Sequence, residues 1–302
     1  MTPELAPPAR QGAAEHARLL LRLMRVEKPL CASTFVFLGA WLSGQAGAMA
    51  EPRVFVGALA VFCITAFGFV INDVCDVAVD ALGKPDRPLA SALVSREVAI
   101  GLAAGLALAG LVLSLALGGA AAAIGVAATA LSAVYSLRLK RTVLLGNASV
   151  ALLVSAVLVF GAVVACTPAG EGAACALGGT VWVAAAITFS FILAQEALAT
   201  LEDERDDRAV GYRTTATVLG PGRAAVLVRV LLLVFIAAAL APWLLGDAGV
   251  AYGAAVVVGS IVPVGVALWW LRSPLEKRRV DAAVRLMRYV WVTGFLPLGL
   301  LG

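Results

Sequence analysis

Two short stretches of this chain hold ten of its nineteen acidic residues. The first runs Asn72-Asp73-Val74-Cys75-Asp76-Val77-Ala78-Val79-Asp80, with Asp86 just after it. The second runs from Glu196 to Glu202-Asp203-Glu204-Arg205-Asp206-Asp207. On a helix, Asn72, Asp76 and Asp80 share one face, as do Asp203 and Asp207, with Glu196 and Thr200 extending the second stripe. Carboxylates stacked four residues apart repel one another, so a cation is expected to offset them. Hard oxygen donors with free coordination positions suit Mg²⁺, which keeps waters and bridges to phosphate oxygens. The chemistry expected is departure of diphosphate from an organic diphosphate, with the charge on the leaving oxygen neutralised by metal. Arg87, Lys140, Arg141 and Arg213 are the cations expected on the non-bridging oxygens. The single histidine, His16, lies near the N-terminus, which argues against His-based catalysis or a His-ligated zinc.

The elements that must position these groups are membrane helices. Apolar residues make up 62% of the 302 positions and charged residues 14%, with a mean hydropathy of +0.97, whereas soluble domains are about half apolar and a quarter charged. Nine apolar runs, approximately 30–48, 54–72, 97–117, 119–137, 146–166, 178–198, 222–244, 249–270 and 283–301, approach the ~20 residues that a helical crossing requires. Their Ala- and Gly-rich composition favours closely packed helices, and the short alternating segments of a β-barrel are missing. The expectation is therefore an all-α integral membrane protein of nine transmembrane helices in one bundle. A polar N-terminal tail (1–17) would precede a single membrane domain (18–302), and Gly118-Gly119 would form a tight hairpin.

Basic residues concentrate in the N-terminal segment and after the second, fourth, sixth and eighth runs, while the other side carries only Arg53. The positive-inside rule then places the N-terminus and both acidic clusters at the cytoplasmic face of the cell membrane. That asymmetry accounts for the net charge of +4 without a nucleic-acid partner. Cys166 and Cys175 flank a connection on the outer side and are close enough in sequence to form a disulfide.

The motifs resemble those of the UbiA superfamily of intramembrane prenyltransferases. Asn72-x-x-x-Asp76-x-x-x-Asp80, followed by Lys84-Pro85-Asp86-Arg87-Pro88, is similar to its first signature. Asp203-x-x-x-Asp207, followed by Arg208-x-x-Gly211-x-Arg213-Thr214-Thr215, is similar to its second. Tyr135-Ser136-Leu137-Arg138-Leu139-Lys140 and Gly146-Asn147 resemble the segment linking them. The resemblance implies that Asn72, Asp76 and Asp80, with Asp73 beside them, hold one Mg²⁺ and that Asp203 and Asp207 hold another. It also implies diphosphate contacts from Arg87 and Lys140 with Tyr135 nearby, so that Asp76, Asp203 and Tyr135 are the candidate catalytic groups. The prenyl group would pass from an isoprenoid diphosphate to an aromatic ring or a lipid alcohol. The linking segment is closest to the archaeal-lipid type, although Ala199-Thr200 stands where those enzymes carry Lys-Asp.

Simpler readings compete with each assignment. The acidic clusters could merely end helices in solvated loops, with Arg205 and Arg208 pairing to the second. Polar residues abutting an uninterrupted apolar span are, however, more often functional. Arg138, Lys140 and Arg141 would also serve as topology anchors, and Lys277-Arg278-Arg279 as a headgroup patch. A transporter would place its carboxylates nearer mid-span. A membrane terpene cyclase, acting without an acceptor, would share every metal motif.

Overall fold

The computed structural model describes residues 12–45, 47–166, 177–272 and 274–301. Every regular element among them is helical. They are α1 (Ala13–Met24), α2 (Glu27–Leu42), α3 (Pro52–Gly83), α4 (Arg96–Ala116), α5 (Gly119–Leu137), α6 (Leu145–Cys166), α7 (Gly179–Glu202), α8 (Glu204–Ala209), α9 (Thr215–Leu219), α10 (Pro221–Leu244), α11 (Val250–Val256), α12 (Val262–Trp270) and α13 (Lys277–Thr293). A π-helical turn, Val257–Ile261, joins α11 to α12.

Among the described residues seven helices are long and apolar enough to cross a membrane: α3, α4, α5, α6, α7, α10 and the continuous Val250–Trp270 rod. The first and last expected spans fall short of that length. Helix α2 has 16 residues and stops where Gly44 (φ +72°) and Gly47 (φ +74°) turn the chain. Helix α13 has 17 residues, begins Lys277-Arg278-Arg279, and gives way to a 3₁₀ turn at Leu296–Leu300. Counting apolar residues overlooked these breaks. Both segments still pack within the bundle. The Trp41 indole donates to the Gly299 carbonyl at 2.9 Å, and Lys277 donates to the Glu202 carbonyl, so α13 and its following turn run from one end of the bundle to the other.

Packing follows the small residues. Gly39 of α2 lies against the Leu158 backbone of α6, and Gly161 of α6 lies against Val36 of α2, leaving no room for a Cβ at either glycine. Such small-residue crossings let helix backbones approach closely in lipid. Ser95 caps α4 by accepting from the Val98 N–H at 3.3 Å, and Pro52 and Pro221 open α3 and α10, where a missing N–H is harmless. The α4–α5 hairpin turns at Gly118 (φ +116°), as its sequence predicts.

Length positions the site. At 1.5 Å per residue the 32 residues of α3 span about 48 Å, well beyond a ~30 Å hydrocarbon layer. Roughly 20 residues after Pro52 the helix reaches Asn72, so about one hydrocarbon thickness of helix precedes its acidic turns. Helix α7 starts at Gly179 and delivers Glu196, Thr200 and then Asp203 in the same manner.

Candidate active site

The acidic ends of α3 and α7 meet across a cavity of about 270 Å³. Asn72, Asp76 and Asp80 line it from α3, and Glu196, Thr200 and Asp203 from α7 and its end. Asp207, Tyr212 and Thr214 close it beyond α7, and Tyr135, Lys140 and Asn147 enclose the remaining side. Although α7 ends at Glu202, the Asp207 N–H still donates to the Asp203 carbonyl at 2.9 Å, so the four-residue spacing survives the break into α8.

Cations already hold the first cluster. Lys140 is ion-paired with Asp76 and donates to Asn72 Oδ1 at 3.4 Å. Arg87 Nη1 lies 2.5 Å from Asp80 Oδ2 and 3.2 Å from Asp73 Oδ1. Asp203 and Asp207 have no ion pair among the described residues. The two sides of the cavity therefore differ, one neutralised by protein cations and one left anionic. Burial pushes the Asp207 carboxyl up to about 6, with Asp203 and Asp206 adding to the rise while Thr214 and Lys84 oppose it.

Three expected site residues lie elsewhere. Asp73 is 2% exposed and turned away from the cavity, its Oδ1 accepting from Arg25 at 2.6 Å as well as from Arg87. One residue along a helix is a rotation of about 100°, so Asp73 cannot share the Asn72–Asp76–Asp80 face. The Arg141 guanidinium stacks 4.5 Å above the Tyr212 ring, outside the cavity lining, and Arg213 is exposed. Sequence reasoning overlooked Tyr212, whose hydroxyl donates to Asp76 Oδ1 at 3.3 Å. It counted Arg25 only as a topology charge. It also missed a tie between the motifs: Thr215 donates to Asn147 at 3.0 Å while accepting from the Leu144 N–H at 3.1 Å. Cys175, half of the expected disulfide, lies outside the described residues.

Among the described residues no three His, Cys, Asp or Glu side chains converge as a ready-made metal cage. Paired carboxylates on facing helix ends are the donor set for Mg²⁺ that completes its coordination with water and substrate phosphate.

Residues 32–292 match the UbiA prenyltransferase family. The chain belongs to that family. This UbiA chain is an enzyme, a prenyltransferase embedded in a membrane. It is 33% identical over 274 residues to the digeranylgeranylglyceryl phosphate synthase of Halobacterium salinarum strain R1, covering 88% of this chain and 92% of that one. The synthase of the same name from Ignicoccus hospitalis is 31% identical over 284 residues, covering 94% and 91%. The fold matches a UbiA homolog from Archaeoglobus fulgidus bound to GPP and Mg²⁺, with a TM-score of 0.69 at 16% identity over 93% of this chain and 99% of that one. It also matches the apo structure of a UbiA homolog from Aeropyrum pernix K1, with a TM-score of 0.72 at 18% identity over 90% and 98%.

Proposed function

We propose that this UbiA enzyme transfers a prenyl group from an isoprenoid diphosphate to the hydroxyl of a prenylated glyceryl phosphate, using Mg²⁺. The observation that carries the reading is the cavity itself, where carboxylates from α3 and α7 face each other with Lys140 and Arg87 at its wall. Asn72, Asp76 and Asp80 would hold metal on one side, and Asp203 and Asp207 on the other. When bound, Mg²⁺ supplies charge neutralisation at the departing diphosphate. Arg87 and Lys140, each now held by an aspartate, would turn to the phosphate oxygens. Tyr212 orients Asp76. Tyr135, within electrostatic reach of Glu196, Asp76 and Asp207, lines the cavity and would face the prenyl group.

Glu196 supplies the base. It sits seven residues before Asp203 on α7, about 10 Å nearer the apolar interior, and lines the same cavity. No cation pairs with it among the described residues. As the hydroxyl oxygen bonds to the prenyl C1, the C1–O bond to diphosphate breaks with its electron pair leaving on the diphosphate oxygen. The hydroxyl proton passes to Glu196. The archaeal synthases named above, all matched over most of their length, support a glyceryl acceptor.

The same reading makes residues 18–302 one membrane domain. It counts α2 and α13 as the first and ninth crossings and places the cavity at the cytoplasmic face of the cell membrane. Lys84, Arg87, Lys140, Arg205, Arg208 and Lys277 all cluster at the cavity end, which supports that orientation. Incubating the purified protein with prenyl diphosphates and either a prenylated glyceryl phosphate or a prenyl-accepting phenol tests the acceptor. An ether product with the first alone is expected; prenylated phenol, or a terpene formed without acceptor, would refute it.

A further inference from the structure

A second cavity, about 430 Å³, lies on the other side of the first acidic motif. Its charged lining is Arg22, Arg25, Lys84 and Arg87 against Asp73 and Asp86. Two of these cations are already compensated: Arg25 and Arg87 share Asp73, and Arg87 also holds Asp80. Arg22 and Lys84 make no ion pair among the described residues; Arg22 donates to the Asp86 backbone carbonyl at 3.3 Å, and Lys84 also acts on the Asp207 carboxyl in the central cavity. The central cavity presents facing carboxylates, suited to a metal-bound diphosphate. This one presents four cations against two carboxylates, the buried, doubly bonded Asp73 and the exposed Asp86, an arrangement for an anion that arrives without metal.

The cavity is built rather than incidental. Leu19 and Leu23 bury the apolar face of α1 against Val70, Val74, Leu89 and Val94, which fixes Arg22 and Arg25 over the end of α3. The Lys84–Pro88 turn is pinned by the Lys84 N–H to the Asp80 carbonyl at 2.7 Å and the Arg87 N–H to the Lys84 carbonyl at 3.1 Å. Lys84 and Arg87 consequently line both cavities, which adjoin through them.

A reaction joining a prenyl diphosphate to a phosphate-bearing acceptor must seat two like-charged headgroups beside one another. Adjoining cavities that share Lys84 and Arg87 as a wall, with Lys140 on one side and Arg22 and Arg25 on the other, meet that need. We propose that the second cavity is a phosphate-monoester subsite, formed by Arg22, Arg25 and Lys84, that seats the acceptor's headgroup. The inference rests on the glyceryl phosphate reading above and assigns it a location.

The test pairs Arg22→Gln with removal of the acceptor's phosphate, on the full-length protein in nanodiscs of zwitterionic lipid. For the phosphorylated acceptor, KM should rise about tenfold or more in Arg22→Gln, while KM for the prenyl diphosphate stays within about twofold and thermal melting is unchanged. The dephosphorylated alcohol should serve wild type and variant equally poorly. Inorganic phosphate should compete with the acceptor and not with the prenyl diphosphate. Equal impairment toward both acceptors, or a raised KM for the prenyl diphosphate, would overturn the assignment. A variant whose only defect is loss of a response to phosphatidylglycerol in the nanodisc would also overturn it, making the cavity a lipid-headgroup site. Absence of ether product in the wild type would instead sink the underlying acceptor reading.

Discussion

Lys140, in the turn between α5 and α6, is ion-paired with Asp76 of α3 at the wall of the central cavity. Both side chains are largely buried, at 8% and 13% exposed. A carboxylate expected to hold metal is thus occupied by a protein cation, which substrate must displace. Lys140→Met should therefore separate two affinities. Binding of Mg²⁺ alone should hold or tighten, because a competing charge is gone, whereas KM for prenyl diphosphate should rise about tenfold or more as a phosphate contact is lost. Calorimetric Mg²⁺ titration and initial rates measure the two. A parallel loss of both would mean that Lys140 only maintains the fold.

Asp76→Asn and Asp203→Asn each remove one oxygen ligand from opposite walls of the cavity. Turnover should fall about a hundredfold or more in either variant, the scale of losing a main charge-stabilising group in the transition state. Melting should be little changed. Asp247→Asn, at an exposed position away from the cavity, is the control and should retain activity. Equal losses in all three variants would indicate damaged folding.

The pairing of motifs was legible because the four-residue spacing survives folding, in α3 because the helix continues and beyond α7 because the Asp207 N–H still reaches the Asp203 carbonyl across the break. Asn72, Asp76, Asp80, Asp203 and Asp207 meet as their spacing requires. Asp73 was misplaced because its neighbours, rather than its own position on the helix face, decided its assignment. Tyr212 and Arg25 were invisible for a different reason. Each reaches the first motif from a distant part of the chain, and neither periodicity nor local charge announces such a contact. The outermost helices are shorter than their apolar runs, since Gly44, Gly47 and Gly294 break runs that hydropathy alone treats as continuous.

The Asp207 carboxyl, raised to about 6 in the metal-free protein, sets a pH dependence. Metal requires the ionised form, so apparent Mg²⁺ affinity should fall as pH drops below about 6, by up to tenfold per pH unit for one competing proton. Stability of the metal-free protein should run the other way. A raised carboxyl favours the protonated folded state, so its contribution is complete below the ordinary carboxylate range and lost as pH rises through about 6. Melting curves from pH 4 to 8, with and without Mg²⁺, check both signs. Asp207→Asn should flatten them.

Glu196→Gln keeps the shape of the side chain and removes its basicity. Ether formation should drop about a hundredfold or more, the usual scale of general-base catalysis, with KM for prenyl diphosphate nearly unchanged. Glu196→Asp should recover part of the rate. Retention of activity within about threefold in the glutamine variant would remove Glu196 from the mechanism. A matching rise in the diphosphate KM would reassign it to the metal site.

The most direct measurement is a Mg²⁺ titration of chelator-stripped enzyme, following diphosphate release from a labelled prenyl diphosphate alongside prenylated product. Facing carboxylate clusters predict no release above background in EDTA, a rise in both signals together as Mg²⁺ is restored, and no such rise in Asp76→Asn or Asp203→Asn. Full turnover after chelation and dialysis would contradict a metal-held diphosphate between α3 and α7.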